Sequence, residues 1–237
     1  DTIMRAPAPL EGADTLILES TYGDRRHPAD DAEATIGAVI RETAARGGTV
    51  LIPSFAVGRA QTVMLAIARL KQRGEIPDLP VFLDSPMATD ATALYRKALA
   101  QLRVPSVIIS ASGMATGGRV LHHLKNIAPD PRNHVLFVGF QAGGTRGAHL
   151  VAGAREVKIH GAWFDVRAQV SQVDGYSAHA DADEIMRWLR SMRRAPSQVY
   201  LCHGEPEAAD TLRQRIEEQL GWATRVPEHM ESVELPL

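Results

Sequence analysis

The hydrophobic positions of this chain form short apolar runs that alternate with longer amphipathic stretches. The apolar runs predict buried strands at 13–19, 49–52, 81–83, 107–110 and 134–139. The stretches between them have a helical period and predict helices at 32–46, 59–73, 87–101 and 119–127. Strands that alternate with helices in this way are typical of βαβ units. The sequence therefore predicts an α/β fold with a parallel sheet.

The pattern changes after Glu156, where the strands become shorter. Strands are predicted at 156–160, 168–173 and 198–202, with helices at 183–192 and near 207–220. A boundary between two regions is therefore expected between Gly153 and Val173.

Two histidines, His179 and His203, follow the predicted strands 168–173 and 198–202. A rigid strand aims the side chains of the loop after it, so we expect one sheet edge to present both imidazoles. Glu19 ends another apolar run, and the three residues could form an acid–base or metal constellation. The remaining histidines are interpreted as structural: His27, His122, His123, His134, His149, His160 and His229.

Two turns between a strand and a helix could approach an anion, at 53–59 and 110–119. Glycines let the backbone come close to a ligand, and the N–H groups at a helix start favour negative charge. The first turn ends at Arg59, whose guanidinium could meet a phosphate through two hydrogen bonds. Glycine-rich turns of this kind are equally often only tight turns, so both interpretations stay open.

Composition narrows the function classes further. The 237 residues are 45% hydrophobic and carry 26 basic and 28 acidic residues, for a net charge of −2. Bulk charge therefore favours no polyanion, and nucleic-acid binding would need a local basic patch. The single cysteine excludes an internal disulfide and a cysteine-rich zinc module, and it fits a reducing compartment. No apolar run approaches the roughly 20 residues that cross a bilayer, so we expect a cytoplasmic protein without a membrane partner.

Six motifs follow one another in an order that points to a known family. They are Glu19-Ser-Thr-Tyr-Gly-Asp, Pro53-Ser-Phe-Ala-Val-Gly-Arg, Asp84-Ser-Pro-Met, Ser112-Gly-Met-Ala-Thr-Gly-Gly-Arg, Tyr176-Ser-Ala-His-Ala-Asp and His203-Gly-Glu. Over nearly its whole length the chain resembles the β-CASP metallo-β-lactamase-fold ribonucleases. These are relatives of the endonuclease subunit of the cleavage and polyadenylation machinery.

The resemblance implies an α/β fold in two parts. Residues 24–165 would form the parallel-sheet β-CASP cap domain, and 1–23 and 166–237 would be pieces of an incomplete metallo-β-lactamase αββα domain. The family's His-x-His-x-Asp-His zinc motif, a further histidine and a bridging aspartate would precede Asp1. The chain is thus expected to be the carboxyl-terminal part of a longer enzyme. It is also expected to lack a stretch that relatives carry just before Val104.

The resemblance also implies roles for individual residues. Glu19 matches the family's first β-CASP acidic residue, His179 the histidine at the scissile phosphate, and His203 a zinc ligand. The complete enzyme would hold two zinc ions, and these 237 residues alone are expected to hold zinc poorly. The residues implied in binding RNA phosphates are Arg59, Ser112, Gly113, Met114, Gly117 and Gly118.

The function implied by the resemblance is that of a zinc-dependent RNA phosphodiesterase. Its expected partners are RNA and the upstream metallo-β-lactamase half, with a homodimer as one option. Two alternatives stay open: a non-catalytic RNA-binding or scaffolding module without an assembled metal site, and a small-molecule hydrolase of the same fold. Metal content separates the first alternative from the enzyme, and a large α/β cap suits a polymer better than a small molecule.

Overall fold

The computed structural model describes residues 7–28, 31–55, 58–84, 105–177 and 179–235. The chain forms two compact units. The smaller unit comprises Asp1–Pro28 and His179–Leu237, and the larger unit comprises Ala29–Ala178. The helix predicted at 87–101 lies outside the described residues.

The helices and strands of the described residues alternate along much of the chain. In order they are β1 (Thr15–Glu19), α1 (Ala32–Ala45), β2 (Thr49–Pro53), α2 (Arg59–Gln72), β3 (Val81–Asp84), β4 (Ser106–Ser110), α3 (Val120–Ile127), β5 (His134–Val138), α4 (Arg146–Val151), β6 (Glu156–Ile159), β7 (Ala162–Asp165), β8 (Gln169–Val173), α5 (Ala182–Arg190), β9 (Gln198–Cys202), α6 (Pro206–Leu220) and β10 (Thr224–Arg225).

The larger unit is built on a parallel sheet of five strands in the order β3-β4-β2-β5-β8. Helices α1 and α2 pack on the face that carries Val50 and Ile52, while α3 packs on the face that carries Leu51. Every residue of β4 and β5 is buried because helices cover both faces. The predicted α/β class with a parallel sheet is confirmed.

Local sequence signals fix the ends of the helices. The Asp31 carboxylate accepts hydrogen bonds from the backbone N–H groups of Glu33 and Ala34, which begins α1. The same helix ends at Ala45, and Gly47 two residues later has a φ of 70°, a left-handed conformation that glycine adopts without strain. These two signals explain why the predicted helix at 32–46 matches the observed one within one residue.

The smaller unit contains a parallel sheet of three strands in the order β1-β9-β10, with helices α5 and α6. Its apolar core is formed mainly by Leu16, Ile185, Met186, Leu189, Val199, Leu201, Leu212 and Ile216. At the start of α5, Asp181 and Glu184 each accept a hydrogen bond from the other's backbone N–H, which forms a capping box. This box fixes the chain immediately after His179.

The strands before His179 and His203 belong to different sheets, so the expectation that they share one sheet edge is wrong. Strand β8 pairs with β5 in the larger sheet, whereas β9 pairs with β1 in the smaller one. The reason is packing, since Val170 and Val173 join the two apolar cores of the larger unit. The units divide after residue 178, and their assignment to the domains implied at 24–165 and 166–237 stays a prediction.

Three short elements have no counterpart in the sequence prediction: α4, β7 and β10. Strand β7 pairs antiparallel with β6 to form a separate two-stranded hairpin. Across the described residues, no helix has the length and apolar character needed to cross a membrane.

Candidate active site

Glu19 and His203 lie at the same level because β1 and β9 run parallel and in register. Glu19, the last residue of β1, pairs with Cys202, the last residue of β9, so the two strands end opposite each other. The backbone N–H and the hydroxyl of Ser20 both donate to the carbonyl oxygen of Cys202, each over 2.9 Å. The carboxylate and the imidazole are therefore carried by two strand ends that are tied together.

A glycine allows the turn after β9 to approach this strand end closely. A Cβ atom on Gly204 would lie 2.6 Å from the carbonyl oxygen of Ser20, closer than real side chains come. The residue before it, His203, has a φ of 56°, which only a minority of non-glycine residues adopt. The turn therefore holds the His203 ring beside the end of β1.

His179 is paired with Glu19 although the two residues lie 160 positions apart. Its Nδ1 atom is 3.1 Å from Oε2 of Glu19. An ionised carboxylate can only accept, so the imidazole donates its Nδ1–H to Glu19. About a third of each side chain is exposed, so a substrate can reach the pair.

Thr21 links both histidines and the carboxylate. Its hydroxyl donates to the carbonyl oxygen of His203 over 2.9 Å and lies 3.1 Å from Nδ1 of the same ring. Since a hydroxyl has one proton to donate, the second contact requires His203 to donate its Nδ1–H. The lone pair of a neutral His203 ring then lies on Nε2, as a metal ligand needs. The backbone N–H of Thr21 donates to Glu19 over 3.1 Å.

His27 contacts the backbone of His179. Its Nε2 atom lies 2.9 Å from the His179 carbonyl oxygen, which accepts the hydrogen bond, and its ring packs edge-on against Tyr22. The His27 backbone N–H donates to Asp181 over 2.9 Å. Burial alone would raise the pKa of the Asp181 carboxyl. Hydrogen bonds from the backbone of His27 and Glu184 outweigh this effect and lower the pKa below its usual value.

One cluster of side chains has the chemistry of zinc ligands, although two of its members, Glu19 and His179, hydrogen-bond to each other. Glu19, His179 and His203 each offer a ligand atom, and these atoms lie within 4.8 Å of one another. Imidazole nitrogens and carboxylate oxygens are common zinc ligands. A second group, His27, Asp181 and Glu184, meets the same criterion. Its carboxylates already accept backbone N–H groups, so this group is better explained as the cap of α5.

The two predicted anion-binding turns lie on one edge of the larger sheet, because β2 and β4 are neighbours. The backbone N–H of Ser54 donates to the backbone carbonyl oxygen of Ser110 over 2.9 Å. A Cβ atom on Gly113 would lie 3.0 Å from the Phe55 ring, so the second turn packs directly on the first. The described parts of both turns therefore lie at the carboxyl edge of the parallel sheet.

Arg59 is buried in this edge, with 7% of its surface exposed. Its Nη1 atom donates to the carbonyl oxygen of Val138 over 2.8 Å, and the guanidinium stacks 5.0 Å from the Phe55 ring centroid. Gly139 leaves room for it, since a Cβ atom there would lie 2.7 Å from the guanidinium carbon. These contacts give Arg59 a structural role, and its binding of phosphate stays a prediction.

The other predicted phosphate-binding residues differ in how much space surrounds them. Ser112 contacts the Thr116 hydroxyl, and the carbonyl oxygens of Gly113 and Met114 accept hydrogen bonds from within the larger unit. Gly118 has a φ of 75° and closes the turn. Among the described residues, a Cβ atom on Gly117 would meet no atom within 4 Å. Their role towards RNA also stays a prediction.

Sequence reasoning did not identify Thr21 and His27 as parts of the site. Thr21 lies two residues after Glu19 and His27 lies eight residues after Glu19, both within the polar stretch after β1. The sequence feature that could have indicated them is that both residues lie close to the candidate acid Glu19 along the chain. A single sequence cannot show, however, that this stretch folds back onto His179 and His203.

Comparison with known proteins identifies the family. Residues 60–150 match the model of the Beta-Casp domain, and residues 163–227 match the Zn-dependent metallo-hydrolase RNA specificity domain. Transcription termination factor FttA of Pyrococcus abyssi is 34% identical over 274 residues, which cover 97% of this chain and 42% of the relative. Ribonuclease TTHA0252 of Thermus thermophilus is 36% identical, covering 82% of this chain and 52% of the relative.

The RNase J-like protein of Methanocaldococcus jannaschii is 31% identical, covering 95% of this chain and 60% of the relative. The chain thus spans about half the length of the curated relatives it matches. The 274-residue match is longer than the chain itself, so that relative carries extra residues inside the matched region. Two consecutive domain matches, together with these relatives, show that the chain belongs to the β-CASP family of metallo-β-lactamase-fold proteins.

Proposed function

We propose that this chain supplies the β-CASP cap and the carboxyl-terminal part of the active site of a zinc-dependent RNA phosphodiesterase. The observation that carries the proposal is the 3.1 Å contact between Glu19 Oε2 and His179 Nδ1, beside the ring of His203. A matched domain described as an RNA specificity domain, and a relative named as a ribonuclease, support RNA as the substrate.

In this proposal, His179 acts on the leaving oxygen of the phosphodiester. It donates a proton or a hydrogen bond to that oxygen as the P–O bond breaks, which is general acid catalysis. Glu19 accepts the Nδ1–H of the ring and so orients Nε2 towards the substrate. Thr21 holds the two histidine rings 5.3 Å apart, measured between centroids, through its contacts with both.

His203 has a different role in the proposal. With its Nδ1–H donated to Thr21, its Nε2 would bind zinc, and further ligands would come from the upstream half that the family resemblance implies. Bound zinc would supply Lewis-acid stabilisation of the negative charge on the scissile phosphate. We call this chain together with that upstream half the complete enzyme.

The test compares the complete enzyme with the 237-residue chain. We expect the complete enzyme to cleave end-labelled RNA, to lose cleavage on chelation, and to regain it when zinc is restored. The 237-residue chain should retain little zinc after dialysis and cleave nothing, because in this proposal most of the metal ligands belong to the upstream half. Zinc that is bound tightly and stoichiometrically by the chain alone, measured by atomic emission, would contradict this division of the site.

The names of several relatives favour a second candidate function. Relatives named transcription termination factor FttA, from Pyrococcus abyssi and Thermococcus kodakarensis, match 97% and 94% of this chain. This chain could thus act on RNA in termination as a binding module that does not cleave. A complete protein that binds RNA but holds no zinc, and leaves the RNA intact over many hours, would favour the module.

A further inference from the structure

The hairpin of β6 and β7 presents a tryptophan to solvent. The strands alternate, so Val157 and Ile159 are buried while Lys158 is exposed. Trp163 pairs directly with Lys158 across the hairpin, on the same outward side, and 63% of its surface is exposed. The Lys158 ammonium lies 5.8 Å from the centroid of the indole ring. A large aromatic ring with this exposure is an available stacking surface.

Beside this ring lies a groove of about 430 Å³ whose walls include Arg146, His149, Glu156, Lys158 and Trp163. Arg146 is held in the wall by hydrogen bonds to the backbone oxygens of Lys158 and Ala115. Backbone oxygens do not neutralise its charge. Among the described residues, neither Arg146 nor Lys158 forms an ion pair.

The net charge of the groove is positive, whereas that of the whole chain is negative. Arg146 and Lys158 contribute two positive charges and Glu156 one negative charge, whereas the chain as a whole has a net charge of −2. Cations that lack a carboxylate partner attract an anionic ligand locally. An exposed aromatic ring next to such cations is the combination that proteins use to bind single-stranded nucleic acid.

We propose that this groove, which we call the Trp163 groove, binds single-stranded RNA. One base stacks on the Trp163 indole, and the adjoining phosphates pair with Arg146 and Lys158. Every base has an aromatic face, so the groove holds the strand without strong sequence preference. RNA as the ligand class rests on the proposed function, but the groove is defined by residues that play no part in the Glu19, His179 and His203 site.

The test measures RNA binding by the 237-residue chain. A fluorescein-labelled oligouridylate of about 12 nucleotides is titrated, with anisotropy and intrinsic tryptophan fluorescence as readouts. We expect Trp163→Ala to weaken binding about tenfold or more, and Trp163→Phe to retain most of the affinity because a ring remains. An RNA duplex of the same length should bind more weakly, since its bases are stacked on each other.

Charge is tested with a matched pair of lysines. Lys158→Gln should reduce the slope of log affinity against log salt by about 1. Lys71→Gln is the control, because Lys71 lies in the same unit, outside the groove, and pairs with Asp78 over 2.8 Å. It should leave the slope unchanged. Thermal melting of each variant ensures that only folded protein is compared.

Two results would overturn the inference: unchanged affinity in Trp163→Ala, or no RNA binding by the wild-type chain at low salt. An acidic peptide that binds the groove without displacing RNA would also count against it. The proposed function is tested by a separate measurement, RNA cleavage by the complete enzyme. If Trp163 controls RNA binding but the complete enzyme leaves RNA intact, the groove stands and the phosphodiesterase proposal does not.

Discussion

The two sets of predicted functional residues occupy similar positions in their sheets but have different surroundings. In the smaller unit, Glu19 and His203 follow parallel strands, and about a third of the Glu19 and His179 side chains is exposed. In the larger unit, Arg59 also follows a parallel strand, yet it is buried and bonded to a backbone carbonyl. The end of a parallel strand therefore supplies a position, and packing decides whether the side chain remains available.

The difference has a local cause in each unit. The polar stretch after β1 satisfies its hydrogen bonds with the functional side chains themselves, through Thr21. The described parts of the turns after β2 and β4 form hydrogen bonds within the fold and pack an aromatic ring, Phe55, on a glycine. The same type of turn can thus arrange reactive groups or close a core.

A large effect on this comparison is expected from Glu19→Gln in the complete enzyme. The amide keeps the size of the side chain but replaces a charged acceptor of the His179 Nδ1–H with a neutral one. Loss of such an orienting partner typically costs about 10–100-fold in activity. Single-turnover cleavage at saturating zinc measures this effect. Asp14→Asn, which removes an exposed carboxylate paired with Arg194, is the control and should keep the wild-type rate.

A pair of glycine substitutions compares the packing of the two sites directly. Gly204→Ala places a Cβ atom 2.6 Å from the backbone oxygen of Ser20, and overpacking of this kind costs about 1–3 kcal/mol. Gly113→Ala meets the Phe55 ring at 3.0 Å, where the exposed ring can move, and the Phe55 backbone nitrogen at 3.2 Å, which is a milder overlap than that at Gly204. We expect chemical denaturation to show a clear loss of stability for the first substitution and a smaller one for the second. Equal losses would mean that the two turns are equally rigid.

A third substitution tests the role of Arg59. Arg59→Met keeps the aliphatic stem but removes the hydrogen-bond donor to Val138, which should lower the free energy of unfolding by about 1–3 kcal/mol. The affinity of the folded variant for RNA should stay at the wild-type value in an anisotropy titration. Lower RNA affinity without a loss of stability would instead support the phosphate-binding role that the sequence predicts.

Much of this fold follows from periodicity. The apolar runs at 107–110 and 134–139 predict β4 and β5, and the helical period at 32–46 predicts α1, whose observed ends are fixed by Asp31 and Gly47. Periodicity does not, however, predict which sheet each strand joins. Strand β8 has the alternation of an ordinary strand, and only its packing against both apolar cores assigns it to the larger sheet.

The candidate site is likewise predictable where it depends on local sequence, and not where it depends on packing. Glu19, His179 and His203 could be selected because each lies at or after a strand end and the motifs match a family. Thr21 and His27 could not, since their roles depend on contacts with residues more than 150 positions away. Arg59 has the chemistry of a phosphate ligand, and sequence alone does not show that its guanidinium is buried beside Gly139.

The central claim is that His179 acts on the substrate whereas His203 holds the metal. The most direct test measures zinc content and single-turnover RNA cleavage for His179→Ala and His203→Ala in the complete enzyme. We predict that His179→Ala keeps its zinc and loses about 10²–10⁴-fold in rate, the usual contribution of a general acid. His203→Ala should lose zinc and activity together. If His179→Ala loses zinc, or keeps the full rate, the two histidines do not divide the work in this way.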